Sequence, residues 1–267
     1  MGTLILAVTT LFLYSLGTAL QTLVFRGRIK PNPSLTSLIG ALALVSHGAL
    51  SWDIVAGHSA LNMGFFPASL LISWFMVLLL LILNSRKPMQ FLFLAIYPLA
   101  ALTVVFVLAF HSPPHYVSQN NWGMLAHIAL SVTAYSLFTL AAVQALLVHM
   151  QNRQLKRNYN SLLIRNLPPL QTMESLLFEL LWAGVIVLTL AIVTGALFVN
   201  DLFAQDLAHK SLFSIVSWLV FSALLIGHYT QGWRGITASR WTLAGCVLLM
   251  LGYYGSKFVL ELVFQRT

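Results

Sequence analysis

Residues 64–84 read GFFPASLLISWFMVLLLLILN, and no charged side chain interrupts them. A helix needs about 20 apolar residues to cross the hydrocarbon core of a bilayer. This stretch therefore reads as a transmembrane helix on its own. Working outward from it, further runs of the same character fall at 3–23, 35–54, 90–110, 123–149, 175–199, 211–230 and 241–264. The run at 35–54 is diluted by His47 and by several Ser and Gly residues. The run at 123–149 is too long for a perpendicular span and must tilt or project beyond the bilayer. Eight spans with short loops use the whole chain. The fold expected is all-α, a polytopic membrane helix bundle forming a single integral-membrane domain over 1–267.

Composition agrees. Of 267 residues, 59% are hydrophobic and 7% charged, against roughly 45–50% and about 25% in soluble domains. So few charges cannot cover a water-soluble surface of this size, which excludes a soluble enzyme, a nucleic-acid module and a disordered tail. The net charge of +8 does not signal a nucleic-acid partner, because basic residues in membrane proteins collect in cytoplasmic loops. The single cysteine, Cys246, permits neither an internal disulfide nor a thiolate metal cluster.

The basic residues also give an orientation. Arg26, Arg28 and Lys30 follow span one, and Arg86 and Lys87 follow span three. Arg153, Lys156, Arg157 and Arg165 follow span five, and Arg234 and Arg240 follow span seven, so these loops hold 11 of the 14 basic residues. The alternate loops hold Asp53, Asp201 and Asp206. The positive-inside rule then places both termini on the outer, periplasmic face. The first span lacks a basic flank and exceeds a secretory signal's apolar core, so it is expected to be retained. The inner loop at 150–174 is the longest; Pro168-Pro169 ends whatever precedes it, and Glu174 is expected in the first turn of the next helix.

Eight histidines among six acids are the unusual feature. Imidazole is a common metal and haem-iron ligand, and ionisable groups inside a bilayer are costly without a use. His58, His111 and His115 fall in outer loops and read as solvated, and His149 reads as interfacial at the inner end of span five. His47, His127 and His209 fall in the outer halves of different spans, and His228 lies near the inner end of span seven. A lone histidine on a span can simply hydrogen-bond a neighbouring helix. Three at one depth are expected to face one outer-half cavity. No Ser-His-Asp constellation, phosphate loop or Cys-x-x-Cys is present, so no catalytic activity is expected. Lys257 and Glu261 are read as a pair or as snorkelling residues, and Glu179 as an ordinary interfacial carboxylate. Trp52, Trp122, Trp182, Trp218, Trp233 and Trp241 are read mostly as an aromatic belt at span ends.

Three segments carry a resemblance: GMLAHIALSVTAYSLFTLAAVQALL (123–147), LPPLQTMESLLFELLWAGVIVLTLAIVTG (167–195) and HKSLFSIVSWLVFSALLIGHYTQGWRG (209–235). With SHGAL around His47, they resemble the cytochrome c assembly protein family, which includes CcsA, CcmC and HemX-like members. The resemblance implies haem carried at an outer-face, Trp-rich segment flanked by histidines, with further histidines within the membrane. His127 matches the first outward histidine, His47 the first intramembrane one, and His228 resembles the second. The sequence departs from the family at ALFVNDLFAQDLAHKSLFSIVS (196–217), which contains no tryptophan, and LELVFQRT at the C-terminus holds no histidine. His209 is placed to stand in for the missing ligand.

The expectation is a bacterial inner-membrane, multi-pass protein that binds or handles haem, as haem b, in cytochrome c-type biogenesis. Its cofactor-binding candidates are His47, His127, His209 and His228, with His127 and His209 on the iron. Its partners are expected to be the bilayer and other membrane proteins of cytochrome c biogenesis or haem metabolism. The alternative is a HemX-like accessory protein acting on a partner without haem, which the absent tryptophans favour. A solute transporter is disfavoured by the lack of paired intramembrane carboxylates and broken-helix repeats.

Overall fold

The computed structural model describes residues 2–56, 60–87, 89–110, 113, 115–118, 121–157, 166–198 and 205–255, without the side chains of 118, 156, 157 and 205–210. The helices are α1 (Gly2–Phe25), α2 (Pro33–Ser51), α3 (Phe65–Asn84), α4 (Phe93–Ala109), α5 (Trp122–Arg157), α6 (Leu170–Phe198), α7 (Gln205–Gln231) and α8 (Gly235–Met250). Together with short flanking turns, they supply eight helices long and apolar enough to cross a membrane. Among the described residues, the protein is all-α apart from one short antiparallel strand pair.

Within these spans, many Ser and Thr hydroxyls are satisfied locally. Thr10 donates to the Leu6 carbonyl, Thr18 to Tyr14, Ser69 to Phe65, Thr139 to Tyr135 and Thr242 to Ala238, each one turn back along its own helix. Lipid offers no hydrogen bonds, so this is how Ser and Thr are tolerated at membrane depth.

The chain divides into two compact units, the first carrying α1–α4 and the second α5–α8. In the first, α1 packs on α2 and α4, and α3 on α2 and α4. Ala7, Leu50, Leu70 and Val104 meet in a fully buried cluster. Polar contacts bridge the helices: Thr10 with Ser46 at 2.7 Å, Gln21 to Thr36 at 2.9 Å, and Trp74 Nε1 to the Leu44 carbonyl at 2.9 Å. Lipid-soluble helices gain little from apolar transfer alone, so close packing and such hydrogen bonds hold them together. A feature unseen in the sequence is the antiparallel pair β1 (Ala60–Asn62) and β2 (Tyr116–Ser118), with Leu61 opposite Val117. It ties the segment after α2 to the segment after α4. Three-residue strands carry too little periodicity to be read from sequence.

In the second unit, α5 packs on α6 and α8, and α7 on α6 and α8. Phe138 and Phe221 stack face to face with centroids 3.9 Å apart, and both are buried. Tyr135 donates to the Leu249 carbonyl at 3.0 Å, and Gln144 and Gln151 donate to the carbonyls of Met173 and Pro168, each at 2.8 Å.

Several expected boundaries move. Helix α5 continues to Arg157 and α6 begins at Leu170, directly after the double proline, so the connection is shorter than 150–174. Glu174 lies beyond the first turn of α6, because Pro168-Pro169 precede the helix instead of lying further upstream. Helix α8 starts six residues before 241, so Arg240 is helical and exposed, not part of a loop. A long arginine can reach polar surroundings from within a helix end. Lys257 and Glu261 lie outside the described residues.

Candidate functional site

His127 stands in the first turns of α5, half-buried against α6. Its Nδ1 is 2.9 Å from the Ala191 carbonyl oxygen. A carbonyl only accepts, so Nδ1 carries the proton and, in the neutral ring, Nε2 holds the free lone pair. This is the tautomer a metal-binding imidazole adopts when its other nitrogen is anchored. Gly195 makes room for the ring: a Cβ there would lie 2.9 Å from His127 Cε1.

His228, near the end of α7, is anchored in the same way. Its Nδ1 donates to the Trp233 carbonyl at 2.8 Å, and its ring stacks on Phe178 with centroids 3.6 Å apart. His127 and His228 therefore touch α6 at Ala191 and Phe178. These positions are about 20 Å apart along the helix at 1.5 Å per residue. That separation is too large for the two rings to share one iron.

His47 belongs to the first unit and is completely buried. Its Nδ1 is 2.8 Å from the Tyr14 hydroxyl, and Tyr14 in turn lies against Tyr97, with centroids 5.4 Å apart. His47 Nε2 and the Tyr97 hydroxyl are both buried without a hydrogen-bond partner of normal geometry. His209 lies in α7, but its side chain, like the whole of His58 and His111, is outside the described residues. The shared cavity expected of His47, His127 and His209 thus stands as a proposal. His115 is exposed beside the strand pair, where the Asn62 side chain accepts its main-chain N–H. His149 is half-buried, with Nδ1 buried and without a hydrogen-bond partner. Among the described residues, no group of three or more His, Cys, Asp or Glu side chains is placed to hold a metal ion.

The tryptophans divide. Trp52 and Trp122 lie at helix ends and are highly exposed, as an interfacial belt requires. Trp182 and Trp218 lie further along their helices, with Nε1 donating to Tyr229 at 3.1 Å and to Thr189 at 2.8 Å. Both bonds cross between α6 and α7, a pairing that single-helix reading does not reveal.

A polar cleft opens beside His228. It encloses about 260 Å³ and is lined from α6 by Gln171, Glu174, Ser175 and Glu179, with Arg234 from the α7–α8 connection. Gly235, at φ +55°, shapes its edge: a Cβ there would approach Asn152 Nδ2 at 2.7 Å and Glu174 Oε1 at 3.4 Å. Sequence reading noticed Glu174, Glu179 and Arg234 singly but had no means of bringing them together.

Eight apolar helices with imidazoles anchored among them define a multi-pass membrane protein. The sequence profile described as Cytochrome C assembly protein matches residues 35–264. The chain belongs to the cytochrome c assembly protein family. It is 32% identical to Inner membrane protein YpjD of Escherichia coli K12, over 97% of this chain and 99% of that one. It is also 21% identical to Cytochrome c biogenesis protein CcsA of Guillardia theta over 77% and 78% of the two chains. Its identity to Protein HemX of Brevibacillus brevis is 27% over 49% of each. No solved structure matches the chain.

Proposed function

We propose that this inner-membrane protein binds and handles haem in cytochrome c-type biogenesis, with His127 supplying one iron ligand and His209 the other. The observation that carries this reading is the His127 ring, whose Nδ1 is engaged on the Ala191 carbonyl and whose Nε2 is left as a donor. The donor set fits haem, since a neutral imidazole with its second nitrogen anchored is a common axial ligand. Bound haem would supply an iron centre for ligand exchange or electron transfer. The chain's own residues would orient the imidazole, through Ala191, and leave room for it, through Gly195. His47 and His228 are further cofactor-binding candidates, held through Tyr14 and Trp233. No Cys-x-x-Cys-His sequence is present to attach haem covalently, so the cofactor proposed is haem b.

The test is the absorbance spectrum of detergent-purified protein from haem-replete cells. A Soret band and a reduced α-band, with haem extractable by acidified organic solvent, are expected. His127→Ala should remove or shift the band, and His115→Ala should leave it unchanged. Protein with no Soret band, either as purified or after haem titration, would overturn the reading.

A second reading has its own support. The tryptophan-free stretch 196–217 offers little aromatic surface for a porphyrin. It favours a HemX-like accessory role exercised through contacts with another membrane protein, and a spectrum without haem would select it.

A further inference from the structure

The geometry points to the cleft beside His228 as a seat for an aminophospholipid, a lipid with a phosphate and a primary ammonium in its head group. Spacing on α6 brings the head-group residues to one face: Gln171, Glu174, Ser175, Phe178 and Trp182 follow at three- and four-residue intervals. Glu174 and Arg234 give the cleft a carboxylate and a guanidinium. Among the described residues, neither of them makes an ion pair. Both signs of charge are thus offered outward.

A phosphate suits the planar donors of Arg234, and an ammonium suits the carboxylate of Glu174. His228 adds an acceptor for an ammonium N–H, because its Nδ1 is committed to the Trp233 carbonyl.

The second half of the argument is an apolar groove of about 290 Å³ adjoining the cleft, with Val185, Leu225 and Ile226 in its lining. Trp182 and Tyr229 line both spaces and are joined by the 3.1 Å hydrogen bond between Nε1 and the hydroxyl. A polar compartment opens onto an apolar one across this aromatic pair. That is the shape of an amphiphile with a zwitterionic head and an acyl chain, and the bilayer is its source. Aromatic side chains with one polar atom suit such a boundary. The assignment stands independently of haem binding at His127.

The test is native mass spectrometry of the detergent-purified full-length protein titrated with dioleoyl phosphatidylethanolamine, phosphatidylcholine or phosphatidylglycerol. Phosphatidylethanolamine is expected to bind about tenfold more tightly than phosphatidylglycerol, which lacks the ammonium. It should also outbind phosphatidylcholine, whose quaternary nitrogen has no N–H to donate. Arg234→Gln and Glu174→Gln should each weaken phosphatidylethanolamine retention several-fold, and Ser222→Trp should do so by filling the chain groove. Arg234 and Ser222 are not core residues, so these two variants decide the matter if Glu174→Gln fails to fold. Equal retention of phosphatidylglycerol, indifference to both variants, or displacement of the lipid by haem one for one would overturn the assignment. A missing Soret band would instead count only against the haem reading.

Discussion

The Tyr14 hydroxyl and His47 Nδ1 lie 2.8 Å apart, with both side chains at zero exposure and their rings edge to face. The pair joins α1 to α2 inside the first unit. Either atom can donate, so the bond is compatible with both neutral tautomers of His47.

Tyr14→Phe removes one partner and strands the other. An orphaned buried polar group costs about 1–3 kcal/mol, so the melting temperature in detergent should fall. Replacing both, as Tyr14→Phe with His47→Leu, should recover part of the loss, because removing both partners is cheaper than removing one. Equal or greater loss in the double variant would show that the pair contributes more through shape than through its hydrogen bond.

Gly195→Ala places a methyl group 2.9 Å from His127 Cε1. The ring must leave the Ala191 carbonyl, so the haem band expected under the proposed function should weaken or shift. Gly2→Ala is the control, since a Cβ there meets nothing within 4 Å. Identical spectra for the two variants would detach Gly195 from the site.

Phe221→Ala deletes one half of the stack with Phe138 and opens a void that α5 and α8 border. Phe→Ala in soluble cores costs about 3–5 kcal/mol. Here the transfer component is small, because the unfolded reference is also lipid-solvated, and a loss of about 2 kcal/mol from contact alone is expected. Thermal unfolding in detergent reads it. Gly245→Ala should act in the opposite steric sense, pushing a Cβ to 2.6 Å from the Phe221 ring.

Reporter fusions after Lys30, Lys87, Arg157 and Gly232 should all read cytoplasmic, and a fusion after Phe110 periplasmic. The motivation is the concentration of basic residues in those loops. Periplasmic activity at two or more of the basic loops would invert or break the proposed topology.

The spans were legible because lipid leaves a chain little choice: a run like 64–84 has no other stable state in hydrocarbon. Their ends were less so. Arg240 looked like a loop residue because charge is the usual stop signal, yet α8 carries it on an exposed face. The histidines could be assigned to spans but not to partners. Tyr14 lies 33 residues from His47, and Ala191 lies 64 from His127, so neither contact has a local signature. The partner of Trp182 was illegible for the same reason, Tyr229 being on another helix. The polar cleft draws on α6, α7 and the connection to α8 at once, and no spacing rule reaches that far.

The length of α5 has a mechanical consequence. Its 36 residues extend about 54 Å, well beyond a hydrocarbon core of roughly 30 Å. The span Gln90–Ala109 has 20 residues, about 30 Å, and little to spare. A change in bilayer thickness therefore acts unequally. Helix α5 can absorb it by shifting its waterline or its inclination, whereas the shorter span must thin or thicken the lipid around it. Hydrophobic mismatch should register first on the short spans, Gln90–Ala109 among them, and last on α5.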